Sequence, residues 1–114
     1  EAIAKYEQAK RLDPEGLFFL ALVGHANAVS GKREEALKLI GEMKERAKDT
    51  YVDPCYIAEI YAGLGDYDQT FSWLEKAYEA RSEELLILRV DPKFEALRKD
   101  PRFADLLGRM RLAS

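Results

Sequence analysis

Hydrophobic and polar positions along most of this chain follow helical spacing. Between residues 17 and 30, Leu17, Leu20, Ala21, Val23 and Gly24 recur at steps of one, three and four, which predicts a helix with one apolar face. The sets Ala36, Leu37, Ile40, Met43 and Thr70, Phe71, Leu74, Ala77 carry the same spacing. Gly31 and Gly65 each stand between two helical patterns, where the chain must turn. A residue that tolerates positive φ suits that place.

Comparing the chain with itself at a shift of 34 residues organises these patterns. Ala2, Ala36 and Thr70 fall in one column, and Ile3, Leu37 and Phe71 in the next. Tyr6, Ile40 and Leu74 follow, then Ala9, Met43 and Ala77, and Gly31 with Gly65. No insertion is needed. Gly24 and Ala58 are small where two helices of a pair are expected to cross, and Ala36 and Thr70 are small on the opposing helices. Helix axes approach within ~8–10 Å only when the side chains at the crossing are short.

A 34-residue period of two helices resembles the tetratricopeptide repeat, and the chain carries that family's marks over roughly residues 1–84. Residues 1–16 look like the second helix of a truncated repeat, with Ala2, Tyr6, Ala9 and the closing Pro14. Residues 17–50 look like a full repeat (Leu20, Val23, Gly24, Gly31, Ala36, Ile40). Residues 51–84 look like another (Ile57, Ala58, Tyr61, Gly65, Tyr67, Thr70, Leu74, Ala77). Leu20 and Pro54 stand where the family has Trp, Asn27 where it has Tyr, and Lys48 and Ser82 where it has the closing Pro. The resemblance implies an all-α fold, a right-handed solenoid of antiparallel helix pairs.

After residue 84 the repeat fades and residues 85–114 are expected to cap it. Asp91-Pro92 and Asp100-Pro101 are helix-start pairs, because Asp accepts from free amides and Pro has no N–H to leave unpaired. Short helices are expected at 83–89, 92–99 and about 101–111. Phe94, Leu97, Phe103, Leu106, Leu107 and Met110 should be buried, and Arg98, Lys99, Arg102, Arg109 and Arg111 should face water. The tail resembles one that follows the last repeat in bacterial repeat proteins, V-D-P-x-F-x-x-L-R-x-D-P-R-F. That resemblance implies a regulatory or sensor region of a larger signalling enzyme or transcription regulator. The first helix lacks its preceding partner, so its open face is a candidate for homo-oligomer formation.

Composition narrows the function. At 114 residues the chain suits one domain, and 47% apolar with 34% charged residues is a folding composition. The net charge of −3 is uneven: residues 51–80 hold one Lys against six acids, and residues 81–114 hold eight basic against six acidic groups. Nucleic-acid binders need a dense basic face, which this interleaving does not provide, so nucleic acid is not expected as a partner of this segment. The apolar run Leu17–Gly24 is far shorter than the ~20 residues of a membrane span, so no membrane partner is expected. With no signal-peptide pattern and one cysteine, a reducing, cytoplasmic setting is expected.

No catalytic constellation is apparent, and the expectation is a non-enzymatic protein. A single histidine and a single cysteine fall short of a zinc site, and no cofactor motif is present. His25 reads either as a ligand contact or as an ordinary packing histidine, and Cys55 as a structural thiol. Asp66 and Asp68 read as helix-start residues, and Phe71, Trp73 and Tyr78 as core or convex packing. What remains is the groove that stacked helix pairs line with the first helix of each pair, a shape that takes a protein or peptide partner. The register puts Phe18, Ala21, Leu22, His25 and Val29 there, then Val52, Cys55, Tyr56, Glu59 and Ala62. Where some family members clamp a terminal carboxylate with Lys and Asn, this chain has Ala21 and His25, then Cys55 and Glu59. A largely apolar groove with a negative second half favours an apolar or basic segment.

Overall fold

Helix ends set the outline. At the end of α1 (Leu17–Val29) the Lys32 amide donates to Asn27 O and the Gly31 amide to Ala28 O, with Gly31 at φ 85°. The same pair of bonds closes α3 (Pro54–Leu64), from Asp66 to Tyr61 O and from Gly65 to Ala62 O, with Gly65 at φ 79°. Both are left-handed helix stops of the kind glycine makes easily. Starts are capped by aspartates: Asp53 Oδ1 accepts from the Cys55 amide, and Asp66 Oδ1 accepts from Gln69 at the head of α4 (Tyr67–Glu79).

The structure is a computed structural model that describes residues 16–113. The truncated repeat expected over residues 1–16, with its self-associating face, lies outside the described residues except for Gly16. The described residues are all-helical with no strand: α1, α2 (Arg33–Arg46), α3, α4, two 3-10 helices (Glu83–Ile87 and Pro92–Leu97) and α5 (Pro101–Ala113). The segments expected as helices at 83–89 and 92–99 are shorter 3-10 pieces. Helix α1 packs on α2 and α3, α3 packs on α4 and on the second 3-10 helix, and α5 packs on α4. No helix among the described residues is long and apolar enough to cross a membrane.

Two cores result. One joins α1, α2 and α3 through Leu17, Ala21, Ala36, Ile40, Met43, Ile57 and Ile60. The other runs from α3 and α4 into the C-terminal segment through Cys55, Ala58, Phe71, Leu74, Leu88, Phe94, Leu97 and Phe103. Lys44 of α2 spans helices, donating to the Tyr61 hydroxyl at 3.3 Å with its ammonium 5.5 Å from the Trp73 ring centroid. Leu37 and Phe71 share a column of the 34-residue register and differ here: Phe71 is buried, with the Arg102 guanidinium over its ring, while Leu37 is 41% exposed.

The close approach expected inside each hairpin lies elsewhere for Gly24. A Cβ on Gly24 would stand 2.5 Å from Ile60 Cδ1, so the tight contact is between α1 and α3, the first helices of successive pairs. Gly63 faces back in the same way, its notional Cβ 2.9 Å from Ala28 Cβ. Arg102 is exposed as expected and pairs with Asp68 at 2.8 Å, while Arg109, expected to face water, is half-buried and pairs with Glu75. In α5, Phe103 and Leu106 are buried, and Leu107 and Met110 pack against the same core from half-buried positions.

These contacts give two glycine substitutions opposite signs. Gly24→Ala places a methyl against the fully buried Ile60 and is expected to destabilise by ~1–3 kcal/mol despite better helix propensity. Gly41→Ala, on the exposed side of α2 with nothing within 4 Å, is expected to stabilise by ~0.5–1 kcal/mol. Urea unfolding of both variants checks the pair.

Candidate functional site

Residues 18, 22, 25 and 29 lie three and four apart on α1 and therefore share one face. On that face Phe18, Leu22 and Val29 are exposed, at 39%, 39% and 62%, and His25 is half-buried between them. Tyr56 of α3 joins them, its ring edge-on to Phe18 with centroids 6.1 Å apart, and Ala62 is half-buried further along α3. The structure thus brings six of the ten expected groove residues to the surface of α1 and α3.

The other four lie beneath it. Ala21 is fully buried in the first core, Val52 is 7% exposed and Glu59 is 2% exposed, so none of them offers a surface to a partner. Cys55 is buried as well. The reason for the two on α3 is the cap: the second 3-10 helix packs on α3 and sets Lys93 beside Glu59, with Nζ 3.7 Å from Oε1. The groove expected over the front of α3 is built over by the chain's own C-terminal segment.

This junction gathers charge. Asp91 caps the second 3-10 helix by accepting from the Lys93 amide at 3.0 Å, and its carboxylate also takes the Lys93 ammonium at 3.4 Å. The Ser82 hydroxyl donates to Asp53 Oδ2 at 2.6 Å and its oxygen accepts from the Glu84 amide, so one hydroxyl ties the start of α3 to the start of the first 3-10 helix. Glu59 Oε1 has no hydrogen-bond donor. Burial pushes the Glu59 carboxyl up to about 8; Lys93 opposes that rise, and Asp91, Glu84 and Asp53 add to it. Near neutral pH the group is therefore largely protonated, which suits a buried carboxyl without a donor.

The chemistry available here is limited. Burial, reinforced by Glu59 and Asp53, holds the Cys55 thiol far above its ordinary pKa, so it stays a thiol and not a nucleophilic thiolate. Burial and Lys93 lower the His25 pKa, leaving a neutral imidazole at pH 7. Among the described residues no group of three or more His, Cys, Asp or Glu is arranged to hold a metal ion. The sequence places Glu59 in an open groove because periodicity carries no information about whether a segment 34 residues further on folds back over it. The pairing of Asp91 and Lys93 with Pro92 between them was the available signal, since a capped turn must dock on something.

No protein-family model, no curated protein and no solved structure matches this chain.

The buried carboxyl fixes a pH dependence. Its pKa of about 8 in the fold lies above the ordinary 4.5, so the folded state binds more protons between those values. Stability from this group is full below about pH 4.5 and falls as pH rises to about 8. Glu59→Gln is expected to remove that decline and to melt higher than the parent at pH 8 and above. Thermal melts from pH 5 to 9 check it, and parallel curves for the two proteins would contradict it.

Proposed function

We propose that this chain is a tetratricopeptide-like helical repeat module that binds a partner protein or peptide, without catalysis, on the face formed by α1 and α3. One observation carries the reading. Phe18, Leu22 and Val29 form an exposed apolar stripe along a single helix, flanked by the half-buried His25 and Tyr56. Apolar stripes on repeat proteins are where extended or helical segments dock, because anchors at helical spacing meet pockets between side chains. The occupant is an apolar segment. Burial of Glu59 under Lys93 takes away the negative half of the groove that the sequence suggested, leaving hydrophobic contact as the main attraction.

Selection from a displayed library of random 12-residue peptides is the direct test. Recovered peptides are expected to share apolar residues at spacings of three or four. They should lose about tenfold or more in affinity toward Leu22→Glu, since a buried anchor contributes ~1–3 kcal/mol. Circular dichroism keeps the fold in view. Peptides that bind the parent and Leu22→Glu equally would place the partner surface elsewhere.

A further inference from the structure

A hollow in the C-terminal part of the chain shares no lining residue with the α1 and α3 face. The end of α4, the first 3-10 helix and the second half of α5 enclose an open cleft of about 680 Å³. It exists because two 3-10 helices of five and six residues stand between α4 and α5, where each earlier pair has a full α-helix. The shorter pieces leave apolar surface of Tyr78, Leu85, Leu107 and Met110 along the cleft. Its rim is cationic: Arg81 and Arg89 line it with Arg111, against the single carboxylate of Glu79. Neither Arg81 nor Arg89 has an ion-pair partner among the described residues.

The backbone at Arg81 adds an independent observation. Arg81 closes α4 with the stop that Gly31 and Gly65 make for α1 and α3: its amide donates to Tyr78 O and the Ser82 amide to Ala77 O. Its φ is 57°, the one positive value outside glycine among the described residues. An L-residue is strained there and glycine is not, so a guanidinium is held at the cleft mouth against local backbone preference.

We propose that this cleft binds a small amphipathic carboxylate, an apolar chain or ring ending in one carboxylate. The apolar floor takes the tail. The forked donors of Arg81 and Arg89 match a carboxylate's two oxygens, a pairing stronger than neutral hydrogen bonds. The volume lies within the ~300–1,000 Å³ usual for small-ligand pockets, and the rim charge disfavours cations.

Titration with sodium octanoate below its micellar range, followed by amide and methyl NMR shifts, tests this with octanol and octylammonium as controls. Octanoate is expected to give saturable shifts at Tyr78, Leu85, Leu107 and Met110, octanol to bind about tenfold more weakly, and octylammonium not to bind. Arg81→Gln with Arg89→Gln should weaken octanoate about tenfold or more. Arg81→Gly relieves the backbone and should melt at or above the parental temperature while still losing affinity, which separates binding from folding. Equal affinity for octanoate and octanol would overturn the proposal, as would shifts confined to the Phe18–Val29 face or unchanged affinity in Arg81→Gly.

Discussion

Two glycines on facing helices hold the backbones of α1 and α3 together. Gly24 leaves room for Ile60, and Gly63 leaves room for Ala28 and the carbonyl of His25. A side chain at either place would push the helices apart. The close approach buries Ala21 and Ala28, brings the Phe18 ring to Tyr56, and puts Ile57 and Ile60 in one core with Ile40 and Met43 of α2. Everything on the candidate docking face depends on it, because that face exists only while α1 and α3 lie side by side.

The alternation of helices and turns was legible in the sequence because it rests on local chemistry. Gly31 and Gly65 adopt the positive φ that their place between apolar patterns required, and Asp66, Asp91 and Asp100 cap as Asp before a helix does. Burial of Phe94, Leu97, Phe103 and Leu106 followed from spacing alone. Partners across the fold were not legible. Gly24 is small in the sequence, yet nothing local says whether its neighbour is Ala36 of its own hairpin or Ile60 of the next. Glu59 sits at a register position that would face an open groove, and it is covered by Lys93, which lies 34 residues further on. Such contacts depend on chain reversal and packing, which periodicity does not encode.

The junction around Glu59 shows how a carboxyl comes to be buried without a donor. Asp53 and Asp91 are both needed as caps, and each already accepts from a backbone amide. Lys93 is shared: its ammonium lies 3.4 Å from Asp91 and 3.7 Å from Glu59, and one cation does not balance both acids in a poorly hydrated site. Protonation of Glu59 resolves the imbalance with no change of structure. The Lys93–Asp91 pair is then the surviving electrostatic contact, and the second 3-10 helix rests on α3 mainly through Phe94 and Leu97.

The C-terminal segment keeps the 34-residue spacing of helix starts although the sequence pattern fades there. Helices α2, α4 and α5 begin at Arg33, Tyr67 and Pro101, each 34 residues after the last. Two ion pairs join positions that are themselves 34 apart, Asp68 with Arg102 and Glu75 with Arg109, and the hydrogen bond from Arg109 holds the Glu75 carboxyl below its ordinary range. The Asp68–Arg102 pair is well exposed, 90% at Asp68, and so contributes little energy by itself. What the two pairs supply is position, since each fixes a point one turn or more from the next along α4 and so sets where α5 lies. Two 3-10 pieces stand between α4 and α5 where α3 stands between α2 and α4, while α2, α4 and α5 keep their 34-residue spacing. With α5 in place against α4 and only short 3-10 pieces between them, the space is not filled, and the apolar cleft rimmed by Arg81 and Arg89 remains.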